Sequence, residues 1–375
     1  MNECGETLED FTFVHDGSSH IESVSGKKTF SFFQDAMVRL FRNKASVTAL
    51  ITILIIALFA VFGPVMSQYG YNDQDVNRVN LPPKIPMLEK LHIADGTKIL
   101  YNKRESNIND KSKYPEGSVV EIVKKWQVNG VTMVDARADL YKMANVKDGE
   151  YHVFGTDYLG RDLWTRLWRG SRVSLMIAVI SVIVNIFIGL IYGSIAGYYG
   201  GKIDNVLMRI IEIVNAFPQV IVATMLILFL GTGIKAIILA LIIRGWVSTA
   251  RMIRGQFFRF KEREYVLAAR TLGVSDFNLI FRHIMPNSIG PIITKAMLEI
   301  PSAIFAESFL AFIGLGVQAP EPSIGVLLSD AQKVLITYPY QGFFPAVVIS
   351  VLMLSFNLFG NGLREAFDPT QRGLE

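Results

Sequence analysis

The sequence is poor in cysteine, poor in charge and without the common signatures of catalysis. Cys4 is the single cysteine among 375 residues, which excludes an internal disulfide and any multi-cysteine metal site. The five histidines (15, 20, 92, 152 and 283) are scattered and form no HExxH pattern, so no zinc site is expected. There is no GxSxG, and no nucleophile–base pair can be read. Ser25-Gly26-Lys27-Lys28-Thr29 looks like the tail of a phosphate-binding loop. However, Ile21 stands where its first glycine belongs, and no strand precedes it. The chain itself is therefore not expected to bind ATP. Charged residues make up only 19%, against roughly 25% in soluble domains. Lys and Arg (37) exceed Asp and Glu (33) by 4, too small an excess to suggest nucleic acid.

What the sequence does have is apolar residues in clumps, with a mean hydropathy of +0.35. A bilayer core of about 30 Å requires roughly 20 apolar residues per helix. Six runs qualify: 46–66, 171–197, 206–230 (bent by Pro218), 234–252, 289–315 (containing Pro291 and Pro301) and 343–363. Backbone polar groups find no water in lipid, so these runs must be helices. The first run follows about 45 polar residues and lacks a small-x-small cleavage site, so it is not read as a signal peptide. Orientation follows from Lys and Arg in short loops. Lys27, Lys28, Arg39, Arg42 and Lys44 precede the first run, and Arg254, Arg259, Lys261, Arg263, Arg270 and Arg282 lie between the fourth and fifth. Loops 231–233 and 316–342 hold only Lys333. Both termini are thus expected in the cytoplasm of a multi-pass protein of the plasma membrane.

Outside the spans, residues 1–45 read as a cytoplasmic tail followed by an interfacial elbow helix, with Phe30, Phe33, Met37, Leu40 and Phe41 on one face. Residues 67–150 form an extracytoplasmic insertion between the first span (46–66) and the core (151–363). Within it, Val119–Val123 and Val131–Val134 flank Asn129-Gly130, a hairpin turn pair. A small β-containing lobe is expected there. Residues 364–375 form a cytoplasmic tail. Gly189, Gly193 and Gly197 recur every four residues in the second span, a spacing that lets another helix approach closely.

The cytoplasmic loop 255–288 is too amphipathic to be a mere connection. From Glu264, the residues Tyr265, Ala268, Ala269 and Leu272 fall at i, i+3, i+4 and i+7, on one helical face. The two alanines keep that face thin enough for another surface to come close. Gly273 can stop the helix in the left-handed conformation. A second helix, with apolar Phe277, Ile280, Phe281 and Ile284, is expected to end at Pro286. A bent element of this kind suits a groove on another protein.

Here the chain resembles a known family. Glu264, Ala268, Ala269, Gly273, Ile280 and Pro286 are similar to the EAA loop of bacterial ABC importer permeases. The full EYVLAARTLGVSDFNLIFRHIMPN at 264–287, with His283 and Asn287, resembles the oligopeptide/dipeptide/nickel subfamily. Two further segments resemble its C-type subunit. The first is Phe154-Gly155-Thr156-Asp157 with Gly160-Arg161-Asp162, Arg166 and 170–175; the second is 307–317 followed by Pro320-Glu321-Pro322-Ser323. Three departures are visible: the insertion is long, Ile324 stands where the family often has Trp, and Thr165 replaces a usual Ser.

The resemblance implies an all-α polytopic fold of the type I ABC importer permease kind, with six transmembrane helices. It also implies half of a peptide pathway, paired with a homologous B-type permease. Two ATP-binding subunits, which carry ATP and Mg, would dock on a coupling helix made by Glu264, Tyr265, Ala268, Ala269, Leu272 and Gly273, with His283 and Pro286. An extracytoplasmic substrate-binding protein would deliver the peptide, and catalysis would lie outside this chain. Polar groups within the spans are the pathway candidates, because they are costly in lipid: Asn185, Glu212, Asn215, Glu299, Glu307, Ser308 and Asn357. Alternatives are a nickel-chelate permease, a proton-coupled transporter using Glu299 and Glu307, and a sensing subunit without transport.

Overall fold

A computed structural model describes residues 32–86, 94–147 and 149–368. The expected tail at 1–29, the sequence 25–29, Phe30 and the end of the C-terminal tail lie outside the described residues. Helix α1 (Phe32–Arg42) is the expected elbow. Its Ala36 and Leu40 are buried against Leu363, Ala366 and Phe367 near the far end of the chain, while Phe33, Met37 and Phe41 face outward. Asn43 then breaks the chain and caps α2 (Lys44–Phe62), its side chain accepting from the Ala45 and Ser46 N–H groups at 3.1 and 3.2 Å.

Among the described residues the remaining helices of eight residues or more are α3 (Leu163–Tyr199), α4 (Gly201–Ala216), α5 (Gln219–Leu230), α6 (Ile234–Lys261), α7 (Glu264–Thr271), a continuous run α8 (Asp276–Leu315), α9 (Ile324–Gln332) and α10 (Tyr340–Ala366). Among the described residues, five of these (α2, α3, α6, α8 and α10) are long and apolar enough to cross a bilayer, and the α4–α5 pair makes a sixth candidate. The expected third span differs in shape. It is broken rather than gently bent, with α4 and α5 meeting at 77°. Phe217, ahead of Pro218, is extended (φ −78°, ψ 129°), because the proline ring disfavours helical backbone in its predecessor.

Between α2 and α3 lies a lobe, at the place of the expected extracytoplasmic insertion. Strands β1 (Thr97–Arg104), β2 (Val119–Val128) and β3 (Val131–Asp139) form one antiparallel sheet in the order β1–β3–β2. The β2–β3 hairpin turns at Asn129-Gly130, both with positive φ (52° and 77°), as the sequence pattern requires. Strand β1 went unread in the sequence.

The motif at 154–162 turns out to anchor this lobe. Asp162 caps α3, accepting from the Thr165 N–H at 2.9 Å and the Thr165 hydroxyl at 2.7 Å. Its other oxygen meets His152 Nδ1 at 2.8 Å, with both side chains buried. Asp157 accepts from the backbone N–H groups of Leu159 and Arg161 and from Arg161 Nε. Thr165, the departure from the family's usual Ser, keeps the hydroxyl this cap uses. Asp162→Ala is expected to cost about 2–4 kcal/mol, from a lost cap and a buried imidazole left without its acceptor. The check is thermal or denaturant unfolding of the purified protein, in which Asp162→Asn should lose less.

The segment after α8, expected as a loop, contains α9. Its cap Ser323 accepts from the Val326 N–H at 3.2 Å, and the backbone at Ser323 and Ile324 lies directly on Gly170 of α3. Arg169 grips Glu321 with two hydrogen bonds, at 3.1 and 2.8 Å, and Tyr71 donates to the same carboxylate. The Arg169 guanidinium therefore holds the Glu321 carboxyl below its ordinary pKa. A depressed carboxylate stabilises the fold above its unfolded pKa of about 4.3 and loses that contribution as pH falls through the lower folded value. Thermal stability in detergent should thus drop on acidification below about pH 4, and Glu321→Gln should flatten that part of the profile.

The glycine stripe of α3 packs as expected. A side chain at Gly189 would come within 2.8 Å of Thr249, and one at Gly197 within 2.6 Å of Phe257, both on α6. At Gly193 it would run into the Ala250 carbonyl oxygen.

Candidate functional site

Two places have the geometry to do work: the loop around α7 and a cavity among α3, α6 and α8. Glu264 opens α7, a negative charge at the positive end of the helix. The helix stops at Gly273, whose φ of +81° is left-handed, as expected. The expected contact face is shifted. Val266 and Ala269, at i and i+3, point inward and join a cluster with Ile253 and Phe257 of α6 and Leu279, Ile280, Ile284 and Ile292 of α8. Ala269 therefore belongs to the inner face rather than to the free one. Tyr265, Ala268 and Leu272 (i, i+3, i+7) face outward, with Leu272 85% exposed. Asn287 donates to the Tyr265 hydroxyl at 3.2 Å and to the His283 carbonyl at 2.7 Å, which links the loop's two arms.

The second arm corrects an expectation. Pro286 does not end a helix. The chain takes a π-helical turn at Leu279–Ile284 and continues as α-helix from Met285. Proline lacks an N–H and crowds the carbonyl four residues back, and a wider turn just before it leaves both defects harmless. The helix of the fifth run therefore begins at Asp276, ahead of the expected start at 289. Ile280 and Ile284 are buried, whereas Phe277 and Phe281 are exposed and pack on each other, with ring centroids 4.4 Å apart.

The cavity, about 270 Å³, is lined by Asn185 of α3, Gly245 and Ser248 of α6, Gln219 of α5, and Lys295, Glu299 and Ser302 of α8, among others. Glu299 Oε1 accepts from Ser248 and Thr249 at 3.0 Å each and forms an ion pair with Lys295 Nζ at 3.1 Å. A second cavity of about 310 Å³ shares Gln219, Gly245 and Ser248 and adds Asn215, Arg244 and Arg251. Arg244 donates to Asn215 Oδ1 at 3.0 and 3.1 Å and to the Phe217 carbonyl at 3.2 Å, at the break between α4 and α5.

Three pathway candidates thus gather here: Asn185, Asn215 and Glu299. The other candidates lie elsewhere. Glu307 is fully buried and accepts from the Ser174 hydroxyl at 2.8 Å, and Ser174 in turn accepts from the Ile324 N–H. Ser308 lies against Gly325. Glu307 thus ties α8 to α3 beside the start of α9, Ser308 packs α8 on α9, and neither lines either cavity. Asn357 is exposed and bonded to the Met353 carbonyl of its own helix. Glu212 pairs with Arg209 on the exposed side of α4. Sequence reading passed over Lys295 and Arg244. Each is a cation inside an apolar run, and that cost in lipid was the available signal.

Residues 189–373 match the family described as the inner membrane component of binding-protein-dependent transport systems. Residues 31–83 match the N-terminal transmembrane domain of oligopeptide transport permease C. The chain is 36% identical to the dipeptide transport system permease protein DppC of Bacillus subtilis (strain 168) over 367 residues, covering 97% of this chain and 94% of that one. It is 35% identical to the oligopeptide transport system permease protein OppC of Escherichia coli (strain K12), covering 98% and 97% respectively. A solved structure of the MetNI methionine ABC transporter, inward facing, aligns with 54% of this chain and 96% of its own at a TM-score of 0.46 and 19% identity.

Proposed function

We propose a function from one premise: this chain belongs to the family of inner membrane components of binding-protein-dependent transport systems, among its oligopeptide and dipeptide permeases. It is a transmembrane subunit of an ATP-driven importer of peptides. On this reading a homologous permease completes the pathway, two ATP-binding subunits carry ATP and Mg on the cytoplasmic side, and an external binding protein delivers the peptide. Both termini lie in the cytoplasm of a bacterium, and the chain holds no cofactor of its own.

One observation carries the coupling role: α7 presents Tyr265, Ala268 and Leu272 outward while Val266 and Ala269 lock it to α6 and α8. A short helix with a thin outer face can seat in a groove, and its inner face passes the load on. The helices it loads are two of those that line the cavity, through Gly245 and Ser248 on α6 and Lys295 and Glu299 on α8. Closure of an ATP-loaded dimer would draw the seated helices together, and rigid spans would turn that motion into rearrangement of the cavity wall. The test is uptake of labelled di- to oligopeptides into vesicles, with ATP and the ATP-binding subunits on the cytoplasmic face and binding protein on the other. Uptake indifferent to ATP would overturn the assignment.

A further inference from the structure

The reading as a peptide permease leaves the cavity's chemistry unexplained. Inside an apolar bundle a polar atom without a partner is costly, yet the cavity has two. Asn185 is 94% buried (6% exposed) and lines the cavity, and its Oδ1 has no hydrogen-bond partner among the described residues. Glu299 Oε1 accepts from two hydroxyls and is ion-paired with Lys295, while its buried Oε2 takes no donor among the described residues. Both orphans are acceptors. Room for Asn185 is itself built in: any side chain at Gly245 would collide with the Asn185 amide. The adjoining cavity has the opposite character. Arg244, Ser248 and Arg251 fall at i, i+4 and i+7 on one face of α6, and Arg251 pairs with no carboxylate among the described residues.

We propose that the cavity between α3, α6 and α8 is a transient binding site for the free terminal ammonium of a peptide in transit, accepted by Asn185 Oδ1 and Glu299 Oε2. This inference rests on the peptide-import reading and names which end of the substrate the site takes. A carboxylate has about four lone-pair positions, so an incoming ammonium binds Oε2 while Lys295 keeps Oε1. The guanidinium stripe then faces the other end of the zwitterion. Such a site binds weakly, as transit requires, and discriminates by end charge rather than by side chain.

The experiment uses the permease pair with its ATP-binding subunits in nanodiscs, without binding protein. Equilibrium binding of labelled tri-alanine is compared with that of N-acetyl-tri-alanine. The expected result is saturable millimolar binding of tri-alanine, with the acetylated peptide at least tenfold weaker. In Glu299→Gln the two should come within about twofold of each other, with copurification of the ATP-binding subunits as the sign of intact assembly. Asn185→Asp, which adds an acceptor charge, should tighten tri-alanine alone and serves if Glu299→Gln fails to assemble. Equal binding of both peptides, or no saturable binding by a complex that still imports tri-alanine once binding protein is added, overturns this inference and leaves the import reading standing. Absence of ATP-driven import by the complete system would instead remove the import reading.

Discussion

Ala268→Trp is expected to abolish ATP-driven peptide uptake while the permease still folds and inserts at wild-type yield. Ala268 is on the outward side of α7, so an indole there meets solvent in the isolated chain and obstructs only what must seat against it. The neighbouring position separates the two roles. Ala269 is 8% exposed, within the cluster of Val266, Phe257 and Ile284. Ala269→Trp overfills a packed site, a change that costs about 1–3 kcal/mol or more, and it should lower folded yield as well as transport. Uptake assays in vesicles paired with copurification of the ATP-binding subunits read both outcomes. Wild-type uptake by Ala268→Trp would remove α7 from the coupling route.

The second large effect is expected at Gly193. A leucine there cannot be absorbed by a rotamer change, because the atom in its way is the Ala250 backbone carbonyl rather than a movable side chain. Helices α3 and α6 would have to part, which also undoes the close contacts of Gly189 with Thr249 and of Gly197 with Phe257. The cost should reach or exceed the upper end of the roughly 1–3 kcal/mol usual for overpacking. The consequences to measure are a lower thermal midpoint and less folded protein in the membrane fraction. Gly255→Ala is the matching control. Nothing lies within 4 Å of a side chain at that position, so it should be silent. A Gly193→Leu protein as stable as wild type would show that the stripe does not hold the pair together.

Much of this architecture could be read directly because lipid permits so little. An apolar run of sufficient length has one stable backbone solution in a bilayer, and all six runs found in the sequence coincide with helices or a broken helix pair. The Asn129-Gly130 turn was legible for a similar reason: two consecutive left-handed residues have few sequence solutions. What escaped notice were features set by long-range contact. In β1 the apolar Ile99 and Leu100 are adjacent rather than alternating, so the strand is defined by its pairing with β3 and not by its own pattern. The start of α9 lies in the Pro-rich stretch Pro320-Glu321-Pro322 and is held by Ser174, Gly170 and Glu307, all distant in sequence. Pro286 read as a stop because sequence rules assume an α-helical turn, whereas the chain uses a π turn. In the candidate site, the loop's small residues and glycine corner were visible. Which alanine faces in was not, since Val266 decides it by packing under Phe257. The cavity's Arg244 and Lys295 were overlooked because each sits in a run whose average is apolar. Only their partners, Asn215 and Glu299, mark them as interior charges.

Helix α3 is one unbroken rod of 37 residues, about 55 Å long at 1.5 Å per residue. Its N-terminal end is clamped to the lobe by Asp162, and its C-terminal end to the loop by the Tyr198 hydroxyl on Asp276 and by Arg270 over the Tyr198 ring. A lever fixed at both ends has no preferred sender. A load on the lobe therefore tugs on the α7 corner as surely as the corner tugs on the lobe, and on the import reading proposed above the arrival of cargo would itself be a mechanical message to the ATP-binding subunits.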